Sequence, residues 1–285
     1  MEVIPMDAGL GCEVRDVDLS RPLAQQQIDA LRQAFVDHGV MVVRGQQLDE
    51  AQMVAFSRYF GPEESYQSTL SQYLRPGFPQ IQVLSNIVEN GRPLGVRDAG
   101  QYWHTDRSYV THPAWSSILY SLRIPRDDTG RPLGDTVFSN MVAAYHALPA
   151  ERQAQLSKLS AWHEYVFRFS EKNDSLPGLA QPIVIAHPIT GKPCLYVNKG
   201  FTRHIVGMSE ADSEQLLEEL YAHVARDEFL YRHHWREGDV LMWDNFSTQH
   251  CAISDYGPET PRLMWRTVVK GFPVKGFATD RETRQ

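Results

Sequence analysis

Nowhere in its 285 residues does the chain offer an apolar run near the roughly 20 residues that span a bilayer, so neither a membrane-spanning helix nor a membrane partner is expected. Cysteine is scarce. Cys12, Cys194 and Cys251 lie far apart, which sets aside a disulfide scaffold and suits a reducing compartment. Basic charge is also in deficit, with 28 Lys and Arg against 35 Asp and Glu and a net charge of -7. No Lys/Arg block stands out, so the electrostatic footprint of a nucleic-acid binder is missing and a small-molecule partner is expected instead. Met1 to Gly11 has neither the basic nor the apolar region of a secretory signal, and the expected location is cytoplasmic. No internal repeat is visible.

What the chain does contain is ordinary globular material, 42% hydrophobic and 22% charged, enough for one large core. A single domain over 1–285 is expected, with Thr279 to Gln285 as a loose tail. After a short opening strand, Leu23 to His38 places Ile28, Leu31 and Phe35 on one helical face, and Asp49 can cap a second helix carrying Met53, Phe56 and Phe60. Strands are expected at Val40 to Arg44, Gln80 to Leu84, Ser116 to Ile124, Asp135 to Asn140, Pro193 to Asn198, Asp239 to Trp243 and Leu263 to Val269. Met141 to Leu159 reads as helix broken at Pro149, and Ser209 with Asp212 opens a helix carrying Leu216, Leu220 and Val224. The fold class is mainly β with flanking helices. Two stretches without periodicity, 87–101 and 169–181, read as active-site lid loops.

The chemistry concentrates in His104-Thr-Asp106, the sole His-x-Asp among eleven histidines. On a strand, residues two apart face one side, so both side chains could chelate one ion while Thr105 faces away. Alone this tripeptide is weak, and a loop histidine beside a solvated aspartate fits it as well. Downstream, however, Trp243-Asp-Asn-Phe-Ser-Thr-Gln-His250 supplies a second imidazole. Two His and one carboxylate leave open positions on a metal, the ligand set of non-haem Fe(II) oxygenases. Cys251 is expected to point away from any such ion, because strand neighbours face opposite sides.

Arg262 follows the turn residues Asp255-Tyr-Gly-Pro258, a spacing that would lay it on the strand beside His250. Leu263, Met264, Trp265, Val268 and Val269 make its strand apolar, and an arginine buried there needs an anionic partner such as a dicarboxylate cosubstrate. Arg266 projects from the same face. It could share that carboxylate, meet an anionic group of a second substrate, or pair with a buried Asp or Glu.

Trp103-His-Thr-Asp106, Gly134-Asp-Thr136, Ala143-Ala-Tyr145, Val197-Asn-Lys-Gly-Phe201, Trp243-Asp-Asn245, Thr248-Gln-His250 and Arg262 through Arg266 resemble, in order, the landmarks of the taurine dioxygenase family of Fe(II)/2-oxoglutarate-dependent oxygenases. The resemblance implies a double-stranded β-helix (jelly-roll) core. It implies iron held by His104, Asp106 and His250, with Thr136 and Arg262 on the distal carboxylate of 2-oxoglutarate. It implies that 2-oxoglutarate and O2 are converted to succinate and CO2 while a substrate C–H bond is oxidised, usually to an alcohol. Asp106 argues against a halogenase, since halogenating relatives lose that carboxylate. A homo-oligomer is also implied.

The substrate positions depart from the taurine enzyme. Arg266 is kept, but where that enzyme surrounds its substrate with His, Tyr and Asn the nearest matches are Tyr66, Thr69 and Gly100, which argues against taurine itself. Phe169 and Phe201 match aromatic pocket positions, and Arg107 is a cation that the taurine enzyme lacks. Tyr66, Arg107, Phe169, Phe201 and Arg266 are therefore the expected substrate contacts, and the substrate is a small organic molecule, anionic or neutral. Two other readings use the same ligands: a zinc-dependent hydrolase or isomerase, and a non-catalytic ligand-binding relative. The first gives Arg262 no reason to sit in an apolar strand, and the second requires a defect that the sequence, with all three ligands present, does not show.

Overall fold

The computed structural model describes residues 1–6, 9–64, 71–97, 100–165 and 177–278. An eight-stranded sheet runs, in spatial order, Glu2–Pro5, Cys12–Arg15, Val40–Val43, Val240–Asp244, Ser116–Arg123, Leu263–Val269, Phe78–Ser85, Leu74–Arg75. Pairing is antiparallel throughout, except where Cys12–Arg15 meets Val40–Val43. A second sheet is built from Leu230–His233, Thr136–Asn140 and Thr248–Ala252.

Side-chain alternation explains how the large sheet serves two layers. Val40, Val42, Leu241 and Trp243 point to one side and meet Met264 and, from the smaller sheet, Phe138. Their neighbours Met41, Val43, Val240 and Met242 point to the other side and pack with Leu31, Phe35, Met53 and Phe56 of the two N-terminal helices. The result is two β-sheets sandwiching an apolar layer, with helices on the outside, the jelly-roll arrangement.

Those helices start and stop as their sequences require. Gln25–His38 buries Ile28, Leu31, Ala34 and Phe35 and ends at Gly39, whose φ of 69° supplies the left-handed cap. Glu50–Arg58 begins at Asp49, whose carboxylate accepts from Gln52 N at 2.8 Å. Glu210–Val224 is opened by Ser209, which accepts from Asp212 N, while the Asp212 carboxylate returns to the Ser209 hydroxyl rather than to its backbone.

Three expectations need correction. His104 and Asp106 do not lie on a strand: His104 makes a single bridge to His250, and the chain then enters a turn. Arg262 does not lie beside His250, because the strand that follows it, Leu263–Val269, joins Phe78–Ser85 and Ser116–Arg123 in the large sheet. His250 belongs to the small one, opposite Phe138. Finally, the two stretches that lack periodicity contain paired segments. Val88–Glu89 and Arg92–Pro93 form a small hairpin, and Leu179–Pro182 pairs with Ser160–His163. Residues 98–99 and 169–176 of those stretches, and the tail from Thr279, lie outside the described residues.

Candidate active site

Asp244 makes the corner where the chain passes from the large sheet to the small one. Its Oδ1 accepts from Phe246 N at 2.8 Å and Ser247 N at 3.3 Å, its carbonyl accepts from Thr248 Oγ1 at 2.7 Å, and its Oδ2 accepts from Trp115 Nε1 at 3.0 Å. Thr248–Ala252 starts from this corner and delivers His250 to the inside of the sandwich. There His250 and His104 exchange backbone hydrogen bonds of 3.0 and 2.9 Å.

The donor atoms of His104, Asp106 and His250 all lie within 4.8 Å of one another, and all three residues are buried. The His104 ring stands with Nδ1 2.8 Å from the Tyr102 carbonyl. A carbonyl can only accept, so Nδ1 donates to it and Nε2 is turned toward Asp106 Oδ1 at 3.5 Å. His250 is wedged between Trp243, at 4.6 Å between centroids, and Phe138, at 5.9 Å. Burial drives its pKa well below the ordinary histidine value and keeps the ring neutral, as a metal ligand must be. Its Nδ1 is buried and, among the described residues, meets no partner. Two imidazoles and one carboxylate, with an orphaned ring nitrogen on His250, fit a divalent iron centre of the two-His, one-carboxylate kind.

Asp106 is held from several directions. Burial by itself would raise its pKa, but the Arg266 guanidinium and a hydrogen bond from His104 outweigh that and hold the carboxyl well below the usual range. Ser117 Oγ donates to Oδ2 at 2.5 Å and Asp106 N donates to Asn245 Oδ1 at 3.2 Å, while Trp243 Nε1 donates to the same amide oxygen at 3.1 Å. This is the supporting shell that fixes a ligating carboxylate. Ser117 was not foreseen; the available signal was the adjacent pair Ser116-Ser117 opening a strand that continues Ile118-Leu119-Tyr120.

Arg262 bridges the two sheets. It is 9% exposed, and its guanidinium finds only neutral acceptors: Tyr256 Oη at 3.2 Å and Gly134 O at 3.5 Å, with Nε buried and unpartnered. Among the described residues no carboxylate pairs with it. The Gly134 carbonyl lies two residues before Thr136, which is also buried and whose Oγ1 accepts from Trp235 Nε1 at 3.1 Å. A hydroxyl that accepts still has its own proton to donate. Thr136 and the fork of Arg262 can therefore present donors to one carboxylate. Tyr256, beneath the guanidinium at 5.6 Å, was not foreseen.

Of the expected substrate contacts, Arg266 lies with Nη1 3.6 Å from Asp106 Oδ1, beside the carboxylate of the metal site. Arg107 has φ of 61°, a left-handed conformation that costs a residue with a Cβ of the order of 1–3 kcal/mol, and its guanidinium reaches Glu64 at 3.5 Å. Phe201 packs edge-on to His104 at 5.9 Å and to Tyr109 at 4.8 Å, and Tyr109 stacks on Tyr165 at 4.9 Å. Together they make an aromatic wall beside the first histidine. Tyr66, Thr69 and Phe169 lie outside the described residues.

Comparison with known proteins agrees with this geometry. The taurine catabolism dioxygenase TauD, TfdA family matches residues 2–268. A 2-oxoglutarate-dependent 2,4-dichlorophenoxyacetate dioxygenase of Cupriavidus pinatubonensis is 32% identical over 267 residues, covering 86% of this chain and 90% of the relative. A 2-oxoglutarate-dependent sulfate ester dioxygenase of Pseudomonas putida is 32% identical over 288 residues, covering 95% and 90%. The crystal structure of a putative 2-oxoglutarate-dependent taurine dioxygenase from Burkholderia xenovorans superposes with a TM-score of 0.83 at 33% identity, covering 96% of this chain and 91% of that one.

Proposed function

The chain belongs to the TauD/TfdA dioxygenase family, and we propose that it oxidises a C–H bond of a small organic molecule at an iron centre held by His104, Asp106 and His250. It is a 2-oxoglutarate-dependent non-haem iron dioxygenase, requiring Fe(II), 2-oxoglutarate and O2. The observation that carries the assignment of the site is the convergence of these three buried donors within 4.8 Å. When bound, the iron would activate O2, the oxidant, and so couple conversion of 2-oxoglutarate to succinate and CO2 with oxidation of the substrate.

The protein's part is placement and charge. Arg262 and Thr136 would receive the far carboxylate of 2-oxoglutarate, and the lack of any carboxylate partner for Arg262 among the described residues supports this. A hydrolytic zinc site offers no reason for that buried cation. Ser117 and Asn245 hold Asp106 so that its orientation does not depend on the metal. Arg266 adds positive charge at the same point, and the aromatic wall of Tyr109, Tyr165 and Phe201 excludes water from the side where the substrate would lie.

For the primary substrate, Arg266, Arg107 and Phe201 are the contacts supported by position, with Tyr66 and Phe169 carried by family resemblance. A cation beside an aromatic wall fits a molecule with an apolar body, anionic or neutral. Free Cys12, Cys194 and Cys251 support a cytoplasmic setting. The same resemblance supports a homo-oligomer, which sedimentation equilibrium would test. The functional test is Fe(II)-dependent succinate formation under O2 with aryloxyacetates, sulfate esters, sulfonates and uncharged natural-product intermediates. Stimulation by one class is expected. Failure of 2-oxoglutarate to produce a metal-to-ligand absorbance band with anaerobic Fe(II), together with no succinate, would overturn the reading.

A further inference from the structure

Directly after Asp106 the chain reverses at Arg107, whose left-handed backbone persists only where the surroundings over-determine it. The determinant lies one residue further on. Ser108 is 0% exposed, and its hydroxyl is the meeting point of distant segments. His163 Nδ1 stands 3.0 Å from Ser108 Oγ, and Asn198 Nδ2 donates to the same oxygen at 3.2 Å. Asn198 N in turn donates to Thr202 Oγ1 at 2.9 Å, and that hydroxyl lies 3.4 Å from His163 Nε2. The circuit is closed: His163, Ser108, Asn198, Thr202 and back to His163.

Each member is buried, and each has a reason for its orientation. Asn198 Oδ1 accepts from Phe201 N at 2.9 Å, which turns Nδ2 toward Ser108. The Ser108 hydroxyl can accept from that amide and still give its proton to a neutral ring nitrogen. Gln181 Nε2 reinforces the turn by donating to Ser108 O at 3.2 Å and Val110 O at 3.3 Å. None of these side chains is a metal-site donor. On the other side of Arg107, Asp106 is gripped by Ser117 and Asn245. Residues 106 to 108 are thus pinned at both ends of a strained pivot, with no slack to absorb a shift.

We infer that Ser108, His163 and Asn198 are positioning residues: their buried hydrogen-bond circuit holds the turn that aims Asp106 at His104 and His250. The inference rests on the assignment of the metal to those three residues. It also gives the Asn198-Lys-Gly-Phe201 motif a role, since its amide closes the circuit while its glycine backbone donates to Trp103 O at 3.0 Å.

Mn(II) titration of the full chain, well below each variant's melting temperature, tests it. Ser108→Ala and His163→Leu open the circuit and should weaken Mn(II) binding by about 10-fold, the low end of what losing a direct partner of a ligand costs, because the circuit acts on Asp106 through the turn. His163→Gln, whose amide can still face Ser108, should recover most of that affinity. Should the first two fail to fold, Thr202→Val opens the circuit at its far side and should weaken binding several-fold. Wild-type affinity in folded Ser108→Ala or Thr202→Val, accompanied only by a lower melting temperature, would make the circuit mere packing and overturn the inference while leaving the metal site intact. No Mn(II) binding by the wild type would instead remove the metal site, and this inference with it.

Discussion

His104 and His250, drawn from opposite ends of the site sequence, are tied to each other by their backbones: His104 N donates to His250 O at 3.0 Å and His250 N to His104 O at 2.9 Å, and their ring centroids are 4.1 Å apart. The pair is an isolated bridge, the smallest antiparallel contact that exists. The spacing of the two imidazoles is therefore set by main-chain hydrogen bonds before any metal arrives. Pre-set ligands bind without an ordering cost at the moment of binding.

Removing one ring should then abolish metal binding without unfolding the pair. His250→Ala keeps both backbone hydrogen bonds but deletes a donor, so Mn(II) or Fe(II) affinity should fall by more than the roughly 100-fold that loss of a supporting partner causes. Equilibrium dialysis with far-ultraviolet circular dichroism on the same sample checks both halves. Retained metal affinity would exclude His250 as a ligand.

The strands that were legible in the sequence are the apolar ones: Val40–Val43, buried on both faces, reads as a continuous apolar run, and Leu263–Val269 is apolar on either side of Arg266-Thr267. Thr248–Ala252 was not, because its buried residues Thr248, Gln249 and His250 are polar on both faces of the strand. A strand that carries chemistry loses the apolar pattern that would announce it. The convergence of His104 and Asp106 was anticipated, but by strand alternation, whereas the chain achieves it with one bridge and a left-handed arginine, a conformation that no arginine advertises. Likewise the need of Arg262 for an anion followed from burial alone, while its placement did not, since the turn at 255–258 crosses between sheets instead of closing a hairpin.

Close packing predicts a second outcome. A Cβ on Gly200 would lie 2.5 Å from the Tyr102 ring and 3.0 Å from His104 Cβ, so the turn after Asn198 presses on the segment that carries the first histidine. Gly200→Ala should cost about 1–3 kcal/mol through overpacking, seen as a melting temperature lower by several degrees, with weaker metal binding because His104 must move. An unaltered melting curve would mean that Tyr102 can swing clear.

Acid stability gives a third. Burial holds His163 at a pKa of about 3, against roughly 6.5 in the unfolded chain. Below pH 6.5 the unfolded state therefore binds a proton that the folded state refuses, and stability falls as the pH drops toward 3. Between pH 6 and 4.5 this one ring should withdraw about 2 kcal/mol. Buried His233, also lowered chiefly by desolvation, acts in the same sense. Urea unfolding at the two pH values should show a smaller loss for His163→Gln than for the wild type, and equal losses would exclude the ring as the source.

The cosubstrate assignment rests on a charge that is buried but unpaired with any carboxylate among the described residues. Arg262 is fixed at its backbone, where its N donates to Asn86 Oδ1 at 2.8 Å and its carbonyl accepts from Ser85 Oγ at 2.7 Å, so the guanidinium cannot retreat to solvent when no anion is present. Cutting it away should leave the metal donors untouched, because Arg262 is not among the groups that shift Asp106 or His250. Arg262→Ala is thus expected to bind Mn(II) like the wild type but to lose about 3 kcal/mol of 2-oxoglutarate affinity, the lower end of the cost of breaking a buried ion pair. Arg262→Lys should recover only part of this, since a point charge cannot grip both carboxylate oxygens as a planar fork does. Anaerobic calorimetric titration of 2-oxoglutarate into the Mn(II)-loaded variants separates the two effects. An Arg262→Ala protein that still binds 2-oxoglutarate with wild-type affinity would move the distal carboxylate elsewhere.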